Sequence, residues 1–219
     1  MNIIVLDTET ISLNKLYCYN LGYVIVDVSS GFKILKKRDF LIKEIYDNKP
    51  LMDTAYYENK RTIYEDYLLD SKQPLEKISF IEAYSILKHD YLKYNIKGIF
   101  AYNSSFDEKV LKFNCNYFEI PYVLKSFHDI MELTIQTIAT DHLYNLYAQY
   151  YGNINQRINH NKLLRKDGKA KITAESVYCY IVRDYDFKEA HMALNDSEIE
   201  LTILKYICNF YGGIAKLHV

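Results

Sequence analysis

The sequence has few of the features that point to disulfide-bonded, zinc-binding or membrane proteins. Its four cysteines are far apart and form no C-x-x-C pair, so we expect buried free thiols rather than disulfides or a zinc site. The six histidines show no ligand spacing with these cysteines. No apolar run is long enough for a membrane-spanning helix, and the chain opens without a signal-peptide pattern. We therefore expect a soluble cytoplasmic protein.

Proline and tryptophan are scarce, and neither sign of charge is in excess. The chain has three prolines and no tryptophan, but 23 tyrosines and many Ile, Asn and Lys residues. This composition is typical of an AT-rich genome, such as that of a phage or a low-GC bacterium. If the chain is phage-encoded, the compartment would be the host cytoplasm. A net charge of −1 argues against a protein that coats duplex nucleic acid. Any polyanion is expected to be bound locally.

The order of apolar runs predicts an α/β fold with a mixed sheet flanked by helices. Strands are predicted at 2–7, 19–28, 31–43, 98–102 and 122–127, the first three being antiparallel with a turn at 29–31. Helices are predicted at 52–69, 78–94, 106–113, 129–150 (capped by Asp129), 174–182 and 195–210 (stopped by Gly212 and Gly213), with a turn at 166–169. The sequence contains no repeat or linker. We therefore expect one domain over residues 1–219, with a tyrosine-rich elaboration at about 43–73.

Two acidic residues stand at the end of the first predicted strand. Asp7 and Glu9 follow the apolar run at 3–6 and are two residues apart, so their side chains project to the same face of the strand. Neighbouring carboxylates repel each other unless a divalent cation or a raised pKa relieves the repulsion. An isolated pair of this kind is more often simply solvated, so its meaning depends on the rest of the chain.

Further candidate residues occur at two predicted helix starts. Asp107 follows the buried strand at 98–102 and would open a helix, where the positive end of the helix dipole favours a carboxylate. Asp196 lies in the first turn of the last predicted helix, with Asn195 as its predicted cap and His191 five residues upstream. Taken singly, Asp107 and Asp196 are equally well explained as ordinary helix-start acids, and a lone histidine in the position of His191 is more often a surface residue than a catalyst.

Together these segments resemble the three motifs of the DEDDh 3′–5′ exonucleases, the DnaQ-like group of the ribonuclease H-like fold. The segments are Asp7-Thr8-Glu9-Thr10, Asn103-x-x-Phe106-Asp107 and His191-x-Ala193-x-x-Asp196. Their order and local settings match the family, and the resemblance spans residue 3 to about 205. Met192 stands where the sister class has a tyrosine, which favours the histidine class. The resemblance implies a ribonuclease H-like mixed sheet of three antiparallel strands followed by parallel strands.

The resemblance also implies a reaction and its cofactors. Phosphodiester hydrolysis would use two Mg²⁺ or Mn²⁺ ions, which prefer carboxylate oxygens as ligands. Asp7 would bridge both ions, Glu9 and Asp196 would complete the site on the side of the nucleophile, and Asp107 would bind the second ion. His191 would be the general base, because an ordinary imidazole pKa of about 6.5 suits proton abstraction at neutral pH.

The implied substrate is the 3′ end of single-stranded DNA, which we favour, or of RNA. The resemblance places contacts to the terminal nucleotide at motif residues, namely Thr8, Thr10, Ile11, Asn103 and Phe106. Ile11 and Ser12 depart from the family pattern, which commonly has a second Thr and a Gly after the first motif. Backbone contacts to the nucleotide are therefore expected to differ at these two positions.

Two other stretches are candidates for holding the strand. The segment from Arg157 to Lys171 has six basic residues against one acid, and Arg165 and Lys166 are predicted to contact phosphates if this loop leans over the carboxylates. The alternative is an ordinary solvated loop. The elaboration at 43–73 is tyrosine-rich and could either pack as a helix or stack unpaired bases; its tyrosines include Tyr46, Tyr56, Tyr57, Tyr64 and Tyr67.

Three other interpretations compete with that of a free-standing, active exonuclease. A catalytically idle module that binds nucleic acid or a partner is disfavoured because every expected carboxylate is present. A ribonuclease H-type endonuclease is weakened by Glu9 and by the His191 motif. A polymerase proofreading subunit is disfavoured because little sequence follows Asp196, which leaves no tethering tail. The choice between DNA and RNA and the oligomeric state stay open.

Overall fold

The computed structural model describes residues 1–56, 61–70, 72–154 and 160–212. Tyr57, Arg157 and Gly213, which carry predictions above, lie outside the described residues. Within the described part, the chain divides into two compact units, which are Met1–His128 with His191–Glu198, and Asp129–Ala190 with Ile199–Val219. The prediction of a single domain stays a prediction. Among the described residues, no helix has both the length and the apolar character needed to cross a membrane.

The first unit is built on a six-stranded mixed sheet with the order β4-β3-β2-β1-β5-β6. Its strands are β1 (Asn2–Ser12), β2 (Lys15–Asp27), β3 (Lys33–Ile42), β4 (Leu75–Ile78), β5 (Ile99–Ala101) and β6 (Phe127–Asp129). β2 pairs antiparallel with both β1 and β3, whereas β5 is parallel to β1 and β4 is parallel to β3. This is the α/β, ribonuclease H-like arrangement of antiparallel and then parallel strands that the sequence predicts, so the fold class is confirmed.

Helices flank the strands in the first unit and make up most of the regular structure in the second. They are α1 (Lys43–Tyr46), α2 (Lys49–Met52), α3 (Arg61–Leu69), α4 (Phe80–Lys93), α5 (Ser104–Tyr117), α6 (Ile130–Gln136), α7 (His142–Ile154), α8 (His160–Leu163), α9 (Ala174–Val182) and α10 (Ala193–Tyr211). The predicted helices at 78–94 and 174–182 are confirmed as α4 and α9. The Ser79 side chain and Glu82 form a reciprocal capping box that begins α4.

The core of the sheet follows from its apolar runs. Ile3, Ile4, Val5 and Leu6 of β1 are fully buried, as expected for a central strand covered on both faces. β1 is longer than predicted and reaches Ser12, because its second half pairs with β2 in a hairpin with register shifts after Glu9. All four cysteines are buried and free, as expected from their spacing.

Three predictions about these elements are wrong in detail, and one observed strand was not predicted. The strand predicted at 122–127 is replaced by irregular chain up to β6, since the Val123 N–H is bonded to the Tyr84 hydroxyl rather than to a strand. β4 is unpredicted. Asp129 does cap a helix, but that helix ends at Gln136 and α7 follows separately. Asn195 is not a cap, because α10 already begins at Ala193.

Candidate active site

The first pair of acids lies on the central strand of the sheet. In the β1–β2 ladder Asp7 is opposite Gly22 and Glu9 is opposite Asn20. Asp7 is half-buried and Glu9 is buried. Because residues two apart on a strand face the same side, both carboxylates project from one face of β1. The structure thus places them as the sequence predicts.

Asp107 is held against β1 by the threonine between those two acids. It lies in the first turn of α5 and is buried. One of its oxygens accepts hydrogen bonds from the Thr8 backbone N–H at 3.0 Å and from the Thr8 hydroxyl at 2.8 Å. Burial raises the pKa of Asp107 to about 7, and the negative charge of Glu9 acts in the same direction, although the Thr8 hydrogen bonds oppose the shift.

The start of α10 lies directly on β2. A Cβ atom at Gly22 would stand 2.1 Å from the Leu194 backbone nitrogen, so only glycine permits this approach. The Ser197 hydroxyl donates a hydrogen bond to the Gly22 carbonyl at 3.1 Å. Asp196, in the first turn of α10, is buried at this position. The close approach brings the third motif beside the strand pair that carries Asp7.

Three motif residues from opposite ends of the chain come together. Glu9, His191 and Asp196 each offer an atom that could ligate a metal ion, and these atoms all lie within 4.8 Å of one another. Glu9 and Asp196 are buried and His191 is half-buried. Two carboxylates and one imidazole at this spacing form a cluster that can bind a divalent cation or move a proton.

Electrostatics link the other two acids to the same region. Cys18 is fully buried on β2, and its pKa is raised well above the ordinary value by burial and then by the negative charges of Asp107, Asp7 and Glu9. These three carboxylates therefore lie near one buried thiol. The Cys18 thiol stays protonated and donates to the Asn20 carbonyl, which argues against its acting as a metal ligand.

Two motif residues have left-handed backbone conformations. His191 has a φ of 51° and Asn103 has a φ of 67°, a region that residues other than glycine rarely adopt. Both positions come just before a helix, α10 and α5 respectively. The turns that deliver His191 and Asp107 are therefore tightly specified by their surroundings.

The residues predicted to contact substrate differ from one another in burial and in their location in the fold. Thr10 donates to the Ser12 carbonyl at 3.2 Å, and Ile11 is fully buried with its carbonyl accepting from the Tyr56 N–H. At the start of α5, Asn103 is exposed and Phe106 is half-buried. In the second unit, Arg165 and Lys166 are exposed in a turn closed by a bridge between Leu164 and Ala170.

Comparison with known proteins yields no family assignment. No family model matches the chain, and no curated protein matches it either. Among solved structures, the chain is similar to E. coli Exonuclease I in complex with a dT13 oligonucleotide, with 15% sequence identity and a TM-score of 0.49 over 94% of this chain. The match spans 40% of the Exonuclease I chain. The functional argument below therefore depends on the geometry of this chain.

Sequence reasoning missed the residues that support the site. Thr8 was predicted to contact substrate, yet its hydroxyl is bonded to Asp107. Gly22 did carry a signal, because glycine inside a strand often marks a close backbone approach. Asn20, which lies opposite Glu9, has no sequence pattern that sets it apart from a surface asparagine.

Proposed function

We propose that this chain is a metal-dependent 3′–5′ exonuclease of the DEDDh type, which hydrolyses single-stranded nucleic acid. The observation that carries the proposal is the convergence of Glu9, His191 and Asp196 within 4.8 Å. They are the residues to which the motif resemblance gives joint roles, and nearly the whole chain separates the first from the other two. A structural ion pair would explain one acid beside one histidine, but not this set beside Asp7 and Asp107.

The donor set fits hard divalent cations. Four carboxylates, of which three are buried and one is half-buried, would supply the oxygen ligands that Mg²⁺ and Mn²⁺ prefer, namely those of Asp7, Glu9, Asp107 and Asp196. The pKa of Asp107, raised to about 7 by burial and by the charge of Glu9, shows that the region disfavours uncompensated negative charge. When bound, two such ions would activate water and stabilise the leaving oxygen.

His191 is assigned to proton abstraction rather than to metal binding. Mg²⁺ prefers oxygen over nitrogen ligands, and the imidazole is the basic nitrogen group in the cluster. It would take the proton from the attacking water as the nucleophile forms. The carboxylates of Glu9 and Asp196, within 4.8 Å of the ring nitrogen, would stabilise the resulting imidazolium.

The strand is proposed to reach the carboxylates past the start of α5. Asn103 is exposed and Phe106 is half-buried there, so both side chains can be reached by a terminal nucleotide, and the Asn103 Oδ1 also accepts from the Ser105 hydroxyl at 3.2 Å. Thr8 and Thr10 border the acids on β1. Arg165 and Lys166 are proposed to neutralise phosphates, because both are exposed and cations drive binding of nucleic acid.

A shortening assay tests the proposal. The chain would be incubated with matched 5′-labelled single strands of DNA and RNA, with Mg²⁺ or with EDTA, beside the Asp7→Ala variant. Stepwise shortening from the 3′ end that requires metal and disappears in Asp7→Ala is expected. Internal cleavage, cleavage in EDTA, or full activity of Asp7→Ala would each contradict the proposal. The ratio of DNA to RNA rates gives the sugar preference.

A further inference from the structure

A buried asparagine on β2 connects the sheet to the first turn of α10. Asn20 is fully buried and has four hydrogen-bond partners. Its Oδ1 accepts from the Ala193 backbone N–H at 2.8 Å and from the Tyr64 hydroxyl at 3.0 Å. Its Nδ2 donates to Asp39 at 2.6 Å and to the Phe40 carbonyl at 3.1 Å. An asparagine amide offers two donors and two acceptor sites, so every site is used.

These partners permit only one orientation of the amide. The Asp39 carboxylate oxygen and the Phe40 carbonyl are acceptors, so the NH₂ group must face them. The remaining partners, the Tyr64 hydroxyl and the Ala193 N–H, donate. A flipped amide would oppose donor to donor and acceptor to acceptor. The Phe40 carbonyl can only accept and the Ala193 N–H can only donate, so these two backbone groups fix the direction in which Asn20 presents its oxygen, and Asp39 and Tyr64 bind the two remaining sites of the amide.

That oxygen caps α10 from outside the helix. The first N–H groups of a helix have no partner within the helix, and Ala193 is the first residue of α10. The first internal bond runs from the Asp196 N–H to the Met192 carbonyl at 2.9 Å. Asn20 thus holds the backbone between His191, whose φ is 51°, and Asp196.

Tyr64 comes from the tyrosine-rich elaboration. It is buried on α3 and makes edge-on ring contacts with Tyr19 and Tyr46. Burial raises its pKa well above the ordinary value, and the negative charges of Glu9 and Asp196 also contribute. The hydroxyl is therefore a protonated donor that lies close enough to the acidic cluster to be affected by its charge.

We propose that Asn20 and Tyr64 are positioning residues that hold His191 and Asp196 beside Glu9. Tyr64 and Asp39 complete the hydrogen bonds of the Asn20 amide and hold it in place, and Asn20 fixes the start of α10. The catalytic consequence rests on the proposed nuclease function. The inference gives the segment at 43–73 a role, since it supplies a side chain that supports the site through Asn20.

The decisive variant removes one hydroxyl and keeps the ring. Tyr64→Phe deletes the donor to Asn20 while preserving the aromatic contacts. Tyr46→Phe is a matched control, because Tyr46 is also buried, lies in the same segment and packs edge-on against Tyr64. Its hydroxyl donates to the Arg61 carbonyl at 3.3 Å rather than to Asn20. Each variant loses one hydrogen-bonded tyrosine hydroxyl.

Steady-state cleavage of a single-stranded oligonucleotide in saturating Mg²⁺ gives the catalytic readout. A small displacement of catalytic groups is expected to lower kcat of Tyr64→Phe by about tenfold or more, with KM nearly unchanged. Tyr46→Phe is expected to keep kcat within about twofold of the wild type. Wild-type kcat in Tyr64→Phe, or an equal loss in Tyr46→Phe, would overturn the positioning role.

Hydrogen exchange of the Ala193 amide, measured by NMR on the full chain, gives a readout independent of activity. Exchange is expected to be about tenfold faster or more in Asn20→Ala and Tyr64→Phe than in the wild type and Tyr46→Phe. If Asn20→Ala does not fold, Tyr64→Phe decides alone. Unchanged exchange in the folded variants overturns the inference. If the wild type cleaves no single strand but the Ala193 amide still exchanges faster in the variants, the positioning role is supported and the proposed function is overturned. The positioning role and the proposed function can therefore fail separately.

Discussion

The pKa values of individual carboxylates in this chain differ because the burial and the hydrogen-bond partners of these groups differ. Asp107 and Asp39 are both buried, and burial raises the pKa of each to about 7. Asp27, on the surface, instead has its pKa lowered by hydrogen bonds from Ser30 and the chain's N-terminus. A raised pKa therefore separates buried acids from surface acids but does not by itself mark the proposed site, because Asp39 lies outside the proposed ligand set. What distinguishes Asp107 is that the negative charge of Glu9 adds to the effect of burial.

The role of His191 can be separated from that of its acidic neighbours. His191→Asn is expected to lower kcat by about 10²- to 10⁴-fold, the usual contribution of a general base, while Mn²⁺ binding measured by calorimetry is retained. Asp196→Asn should lower both kcat and the affinity for Mn²⁺, because a proposed metal-binding carboxylate is lost. If His191→Asn abolishes Mn²⁺ binding as fully as Asp196→Asn does, the imidazole is a metal ligand and its assignment as the base is wrong.

Asp39 predicts a pH dependence of stability. Its pKa is about 7 in the folded chain against an ordinary value of 3.8, so between those values the folded state binds a proton that the unfolded state does not. The free energy of unfolding of the wild type therefore falls as pH rises through this window, by at most about 1.4 kcal/mol per pH unit. Above pH 7 the contribution of Asp39 is constant.

Asp39→Asn removes this titration while an amide oxygen can still accept from Asn20. The melting temperature of Asp39→Asn relative to the wild type is expected to increase from pH 5 to pH 8, measured by thermal unfolding without metal. Comparing the difference at two pH values cancels any fixed cost of the substitution. A difference that does not change between them would contradict the raised pKa.

At the scale of elements, helices and strands with a clear hydrophobic pattern could be predicted from the sequence, whereas those with a weak pattern could not. Helix α9 was predicted at its observed bounds, and the apolar core of β1 was found from four consecutive residues. β4 has four residues with two exposed positions, so its existence depends on pairing with β3 rather than on its own pattern. The predicted strand at 122–127 failed because its backbone is bonded to a tyrosine side chain.

The five motif residues could be proposed from sequence because each lies beside an apolar run or a predicted helix start, although Asp7 and Glu9 prove to lie inside β1 rather than at its end. Their supports could not. Thr8, Asn20 and Gly22 act through contacts with residues that are distant along the chain, and a local pattern at most marks a close approach, as at Gly22, without naming the partner. Sequence thus proposes which groups form the candidate site, and the structure shows which residues hold them.

The approach of α10 to β2 makes Gly22 sensitive to substitution. Gly22→Ala would place a methyl group 2.1 Å from the Leu194 nitrogen, so the start of α10 must move. We expect a loss of about 3 kcal/mol in the free energy of unfolding, at the upper end of overpacking costs, measured by denaturant titration. Activity should fall further than stability explains, since His191 and Asp196 move with the helix.

Gly31→Ala is the matched control for Gly22→Ala. Gly31 has a φ of 71°, and no heavy atom lies within 4 Å of the position that a Cβ atom would take there, so only backbone strain is introduced. The expected cost is about 1 kcal/mol, with unchanged kcat. Equal losses in the two variants would show that the close contact at Gly22 is relieved without cost to α10.

At the scale of the whole molecule, the tyrosine-rich elaboration has two kinds of tyrosine. Tyr46 and Tyr64 are buried, which agrees with the packing interpretation, whereas Tyr56 is 79% exposed and keeps the base-stacking hypothesis open. The elaboration therefore contributes to the core of the first unit through some residues while presenting others to solvent. Its sequence alone could not distinguish these roles, because both require aromatic residues.

The basic turn of the second unit gives a prediction about salt. Arg165 is 60% exposed and lies 3.4 Å from Asp167, and exposed pairs of this kind contribute little to stability. Arg165→Ala combined with Lys166→Ala should therefore fold normally. If both cations bind phosphates, the slope of log affinity against log salt for a single strand becomes shallower by about 1.4, or about 0.7 for each phosphate that is no longer neutralised.

The measurement is fluorescence anisotropy of a labelled single strand over a range of salt concentrations, in an Asp7→Ala background that prevents cleavage. Lys33→Ala combined with Lys88→Ala removes the same charge from exposed positions on β3 and α4 and separates local binding from net charge. We expect the control to keep the slope of its parent, because counterion release depends on the phosphates that the protein neutralises rather than on its total charge. An unchanged slope in the Arg165 and Lys166 variant would mean that the turn is a solvated loop that does not bind the strand. Equal changes of slope in this variant and in the control would mean that affinity depends only on the overall charge of the protein.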